Sequence, residues 1–177
     1  MKRQRKKYER PLKPWDKERI EREKKLLKEY GLRRKREIWR AESIIRNFRR
    51  QARNLAAKKD KEQEKILLEK LYKLGLINKD ANLDDVLALT IEKILDRRLQ
   101  TLVYKKGLTN TPKQARQFIV HGHIAINGRK ARWPSTLITR ENEDKISLYN
   151  RSKLKGWINE KVKKVEKKNN ETRNKEA

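Results

Sequence analysis

The sequence predicts a mainly α fold with a small α+β module: a helical N-terminal region, then two helices and a β-hairpin. Three observations carry this reading. Over most of the chain, apolar residues recur at spacings of three and four, the period of one helix face. Period-two alternation is confined to His123-Ile124-Ala125-Ile126 and a short Ile146-Ser147-Leu148 stretch, and Asn127-Gly128 follows the first of these as a hairpin signal. Breakers are scarce, with 6 Gly and 4 Pro in 177 residues, and Pro11, Pro14 and Pro134 stand outside any helical pattern. The resulting division is an extended basic arm (1–15), a helical region (16–95), the α+β module (96–150) and a Lys-rich tail (151–177). No repeat of fixed period is present.

Pro11 and Pro14 disfavour helix at the residues before them, so the arm is extended. Trp15 stands as the apolar residue ahead of an Asp16 N-cap. A helix is predicted from Lys17 to about Tyr30, with a narrow stripe of Ile20, Leu26, Leu27 and Tyr30, stopped by Gly31. The next helix runs from about Arg34 to Ala57. Its Ile38, Ala41, Ile45, Phe48, Ala52 and Leu55 share one face, widened by Trp39 and Ile44. Asp60 caps a third helix to residue 74, whose dry face is Ile66, Leu67, Leu71 and Leu74. Gly75-Leu76 ends it in a left-handed turn. Asn82 opens a short acidic turn; Asp84 and Asp85 are read as helix-start carboxylates rather than a metal or acid/base pair. Thr90 caps a single helix reaching Lys106 and ended by Gly107. Thr111 caps a helix with Pro112 at its first position, running to about His121, with Ala115, Phe118 and Ile119 inward and Gly122 closing it. Residues 123–126 form a strand, Asn127-Gly128 a tight turn, Arg129 to Arg132 the return strand, and Ile146 to Leu148 a last strand.

Charge narrows the function. The chain carries 51 Lys and Arg against 24 Asp and Glu, a net +27. Residues 1–59 hold +16, residues 60–95 hold −2, residues 96–150 hold +7 and residues 151–177 hold +6. Such an excess points to a polyanion, with nucleic acid the default partner. The second helix concentrates it: Arg33, Arg36, Arg40, Arg46, Arg49, Arg50 and Arg53 lie mostly off the apolar stripe, with only Glu37 and Glu42 as acids between Arg33 and Lys59. Arg forks match phosphate oxygens two at a time. In the α+β module, Arg97, Arg98, Lys105 and Lys106 decorate the first helix. Lys113 and Arg116 stand three apart on the second, whose free N-terminus attracts phosphate, and Arg129 and Lys130 project from the hairpin. Together they are expected to form one basic surface.

Other classes are excluded. The longest apolar runs are four or five residues, far short of the roughly 18–20 a membrane span needs. No apolar core of a signal peptide follows the basic start. Without Cys there is no disulfide, thiolate zinc site or Cys nucleophile, and a reducing compartment fits. No Gly-rich phosphate loop or Ser/His/Asp arrangement is present, so no catalytic residue and no cofactor is expected. His121 and His123, without a third ligand, make a poor metal site, so none is expected. His121 suits a helix C-terminus. Only 6% of residues are aromatic, and Trp15, Trp39, Trp133 and Trp157 are scattered. Recognition by shape and phosphate contact is therefore expected to dominate over base stacking, with Trp39 in the core.

Residues 96–148 resemble the small RNA-binding domain named for small-subunit ribosomal protein S-four. The resemblance rests on Arg98-Leu99, Gly107, Thr111, Ala115-Arg116-Gln117, His121-Gly122-His123-Ile124 and Ile126-Asn127-Gly128 in fixed order. The segments RKKYERPLKPWDKERI, EYGLRRKREIWRAESIIRNFRRQARNLA, LGLINKDANLDDVLALTIEKIL and LDRRLQTLVYKKGL resemble the N-terminal region of archaeal-type S-four ribosomal proteins, so the likeness spans about residues 5–150. It implies a structural, non-catalytic role: binding small-subunit ribosomal RNA at a multi-helix junction and nucleating assembly. It also implies ribosomal protein S-five as a neighbour, a monomer within the ribosome and a cytoplasmic location. By the same resemblance Thr111, Gln117, His121, His123 and Asn127 join the basic residues as RNA-binding candidates. Some bacterial members carry a Cys-based zinc site near the N-terminus, which this chain lacks.

Overall fold

The structure, a computed structural model, describes residues 6–152; residues 1–5 of the basic arm and 153–177 of the tail, Trp157 included, lie outside them. Local capping sets the helix starts. Asp16 accepts a hydrogen bond from the Arg19 N–H and opens α1 (Lys17–Glu29). Trp15 is 90% exposed, so no apolar staple forms there. Instead the Arg19 guanidinium gathers the incoming chain by donating to the carbonyls of Lys13 (2.7 Å) and Pro14 (2.9 Å). The long α2 (Arg36–Lys58) buries Ile38, Ala41, Ile45, Phe48 and Ala52 along one face, the predicted stripe. Trp39 is only half-buried; its indole N–H donates to Glu23 of α1 at 2.9 Å. Asp60 caps α3 (Lys61–Lys73), whose Leu67 and Leu71 are buried. Ile66, predicted on the same dry face, is 59% exposed. Gly75, at φ +71°, closes α3, with Gly75 N–H to the Tyr72 carbonyl and Leu76 N–H to the Leu71 carbonyl. Asn82 and Asp85 form a reciprocal capping box on α4 (Leu83–Leu87), so Asp85 does cap a helix.

The single helix expected from Thr90 to Lys106 is two helices, α5 (Ile91–Asp96) and α6 (Leu99–Lys105). Arg98 between them is extended, at ψ 142°. The break is made by a distant strand of chain. Ile138 N–H donates to the Arg97 carbonyl (2.9 Å), Leu99 N–H to the Thr136 carbonyl (2.8 Å) and Gln100 N–H to the Pro134 carbonyl (3.3 Å). These tertiary bonds replace the helical ones. The Thr101 hydroxyl donates to the buried Leu95 carbonyl at 2.6 Å.

Thr111 caps α7 (Pro112–Val120), which buries Ala115, Phe118 and Ile119. Gly122 then turns the chain at φ +76° into β1 (Ile124–Ile126). Asn127 (φ 52°) and Gly128 (φ 75°) make the tight hairpin to β2 (Arg129–Lys130), shorter than the expected return strand. A one-turn helix not foreseen in the sequence, α8 (Arg140–Glu143), precedes β3 (Ile146–Leu148). The antiparallel sheet has the order β2-β1-β3, with Ile126 opposite both Arg129 and Ile146.

Two apolar cores result. One runs from Tyr30 to Leu95 around α2; the other, from Leu99 to Ile146, lies between α6, α7 and the sheet. A polar seam joins them. Gln100, 1% exposed, places its amide nitrogen 3.0 Å from the Tyr30 and Pro112 carbonyls and 3.1 Å from that of Gly31. Gly31 sits at φ +58° so close to α7 that a β-carbon there falls 2.8 Å from Pro112 Cβ and 2.9 Å from Lys113 N. Gly31→Ala combines left-handed strain with a backbone clash and is expected to destabilise the protein by about 2–3 kcal/mol, read as a lowered urea midpoint. An unchanged midpoint would show that the seam yields.

Candidate nucleic-acid interface

The outer face of α2 is an arginine surface. Arg36, Arg40, Arg46, Arg50 and Arg53 are exposed along it, with Arg33 exposed just ahead. The two acids of this stretch are largely withdrawn: Glu37 is held between helices and Glu42 is half-buried beside Glu23. Burial, aided by the Glu23 charge, pushes the Glu42 carboxyl above its ordinary range. Residues 8 and 9 of the arm lie on this face. Tyr8 packs 6.0 Å from Trp39, centroid to centroid, and Glu9 pairs with Arg46. Arg49 is not part of the open surface; half-buried, it donates to the Leu89 carbonyl at 2.6 Å and fastens α2 to the α4–α5 turn.

In the α+β module the predicted basic surface is only partly realised. Arg98 does not decorate a helix. It is 5% exposed and donates to Glu37 at 2.5 Å. Arg97 is half-buried, donating to Glu143 (2.6 Å) and the Ile138 carbonyl (2.9 Å), its guanidinium against Gly75. Arg116 meets both Glu37 oxygens at 3.1 Å, so its charge is engaged within the protein while Lys113 is exposed. The N-terminus of α7 is not free either: Thr111 caps it and Gly31 packs on it. Local spacing marks these positions as surface cations; their charge is instead engaged within the protein, because Glu37 faces Arg98 and Arg116 from α2 and Glu143 faces Arg97. Burial raises the Glu37 carboxyl, but hydrogen bonds and charge from Arg98 and Arg116 outweigh it and hold it below the usual range.

The remaining candidates face out. Lys113, Gln117, His121, Arg129 and Lys130 are exposed, and Lys130 lies 4.5 Å over the Tyr149 ring. Lys105 is exposed but paired with Asp96 at 2.8 Å, and Lys106 stands 4.0 Å from Asp144. Thr111 serves as a cap, and the Asn127 amide donates to Asn142 at 3.2 Å. His123 contacts Ser152 at 3.0 Å and sets its ring against Phe118. Its ring centre is 6.1 Å from that of His121, and among the described residues no group of three His, Cys, Asp or Glu stands together to hold a metal. No helix of the described residues is long and apolar enough to cross a membrane.

Between α2 and α7 the two basic faces meet in a groove of about 760 Å3 lined by Arg36, Arg40, Arg116, Arg132 and Trp133 among others. Spacing singled out neither Arg132 nor Trp133 for this role, because the 131–138 segment has no periodicity and its position depends on its bonds to α6. Glu37 and Gln100, the residues that join the modules, were equally hidden. The one available signal for Glu37 was its being one of two acids in an arginine-rich helix.

Paired helices closed by left-handed glycines, docked on a hairpin sheet and seamed to a basic helical region, define an S4-domain architecture. A family model described as the S4 domain matches residues 97–144. The chain is 52% identical over 151 residues to the small ribosomal subunit protein uS4 of Nanoarchaeum equitans (strain Kin4-M), covering 82% of this chain and 84% of the relative. It is also 52% identical over 158 residues to the uS4 proteins of two Saccharolobus islandicus strains, L.S.2.15 / Lassen #1 and M.14.25 / Kamchatka #1, covering 87% of both chains in each comparison. The chain belongs to the small ribosomal subunit protein uS4 family.

Proposed function

We propose that this protein is a structural constituent of the small ribosomal subunit that binds small-subunit ribosomal RNA at a multi-helix junction and nucleates assembly without catalysis. It acts as a monomer within the ribosome, in the cytoplasm, with ribosomal protein S-five as a neighbour. The divisions 1–15, 16–95, 96–150 and 151–177 are its working parts. The observation that carries this reading is the α2 surface. Its arginines point outward while Glu37 is turned inward and Glu42 is half-buried; among the described residues Glu9, paired with Arg46, is the carboxylate that meets this row of cations from outside α2. Such a row suits the phosphates of folded RNA, which a ribosomal protein must hold by shape. Arg33, Arg36, Arg40, Arg46, Arg50 and Arg53 form the first contact set. Lys113, Gln117, His121, Asn127, Arg129 and Lys130 form the second, from the S4 domain.

Chemical footprinting of small-subunit RNA with and without the protein tests this. Protection confined to one junction is expected; scattered protection would mark a general cation. Affinity is also expected to fall linearly with log salt, at about −0.7 to −0.9 per phosphate neutralised, giving a total slope of roughly −5 or steeper. A flat titration would reject the phosphate-contact account.

A further inference from the structure

We propose that Trp133 is a stacking platform for one unpaired base of the bound RNA, at the edge of the groove between α2 and α7. This rests on the RNA-binding reading above and adds to it a residue that grips a base rather than a phosphate.

Trp133 is 76% exposed, yet its backbone is fixed. Thr136 N–H donates to the Trp133 carbonyl at 3.2 Å, closing a turn with Pro134 at its second position, where the ring presets φ. The carbonyls of Pro134 and Thr136 accept from Gln100 and Leu99 at the start of α6. The indole is thus carried on a turn welded to the domain core. Beside it the groove is lined by Arg36, Arg40, Arg116 and Arg132, with half-exposed Val120. Among the described residues Glu37 is the groove's single acid, and it is already bonded to Arg98 and Arg116.

The two chemistries together select the occupant. An acidic protein segment would satisfy the arginines but leave the indole in water. An apolar segment would cover the indole but bury guanidinium groups without partners, which is costly. A nucleotide does both: its phosphate meets the exposed Arg36, Arg40 and Arg132, and its base lies on the indole. An unpaired base is required, since a base inside a duplex presents no free face. Stacking on one aromatic is largely indifferent to base identity, so Trp133 adds affinity and fixes register more than sequence preference.

The test uses the full chain and its Trp133→Ala and Trp133→Phe variants, titrated against a small-subunit ribosomal RNA fragment at several salt concentrations, with thermal melts as the check on folding. Trp133→Ala is expected to bind about five- to 150-fold more weakly, the range for removing one base–aromatic stack, with an unchanged salt slope because no phosphate contact is lost. Trp133→Phe recovers most of the loss. Chemical probing should show one base protected by the wild type and by Trp133→Phe but not by Trp133→Ala. Binding of Trp133→Ala within twofold of wild type overturns the proposal while leaving the RNA-binding reading intact. A loss accompanied by a shallower slope, or one that Phe does not rescue, also overturns it. A wild-type chain that cannot distinguish ribosomal from unrelated RNA overturns both.

Discussion

Glu37→Gln is expected to lower stability by about 3 kcal/mol at neutral pH, the low end for removing one member of a buried ion pair. Glu37 retains some exposure, while its partner Arg98 is almost fully buried. Glutamine keeps the shape but not the charge, so Arg98 is left buried without a counter-ion and Arg116 loses its carboxylate partner. For a chain of this size the melting temperature should drop by about 6–12 °C. The pH dependence has a definite sign. The folded Glu37 carboxyl titrates below its ordinary value, so its contribution is fully present above that ordinary value and is lost as pH falls through the lower folded one. The gap between wild type and Glu37→Gln should therefore be widest near pH 7 and close in acid, where protonated Glu37 resembles Gln. Urea unfolding at both pH values measures this. A difference under 0.5 kcal/mol at pH 7 would mean that the two modules are not joined through this carboxylate.

The second large effect concerns the outward face of α2. Changing Arg40, Arg50 and Arg53 together to Ala is expected to weaken binding to small-subunit ribosomal RNA by roughly 100-fold or more and to reduce the magnitude of the salt slope by about 2 to 3. These side chains are exposed, and Ala is at least as good a helix former as Arg, so folding stability should change by less than about 0.5 kcal/mol. Arg97→Ala is the contrast. It removes bonds to Glu143 and the Ile138 carbonyl, so it should lower stability and leave the salt slope nearly unchanged. If the triple variant keeps the wild-type slope, the α2 face is not where the phosphates lie.

These two predictions concern cations that look alike in sequence. Arg53 and Arg97 each sit in a helical, basic stretch, and nothing in local spacing separates them. One is exposed; the other is held by a carboxylate 46 residues away. Local features transferred well. The Asp16, Asp60 and Thr111 caps, the Gly75 and Gly122 closures and the Asn127-Gly128 turn all stand where the residues placed them, because each is made within a few residues. The break at Arg97-Arg98 was illegible because no Gly or Pro marks it. Its cause is the chain returning at 134–138, which competes for the same backbone groups. Ile66 is exposed for a related reason: periodicity defines a stripe but not how wide the neighbouring element makes the buried face.

By itself, then, the sequence determined the helices with strong caps, the hairpin, the apolar stripe of α2 and the basic character that calls for a polyanion. Each of these depends on interactions within a turn or two of chain, or on composition alone. Only the tertiary structure decided which of the basic residues remain available. Glu37 reaches Arg98 and Arg116 from another helix, Gln100 binds the Tyr30 and Gly31 carbonyls across the seam, and the 134–138 segment both breaks a helix and presents Trp133. The physical reason is that a charge acts according to its neighbours in space. For these residues the neighbours lie 12 to 79 residues away along the sequence.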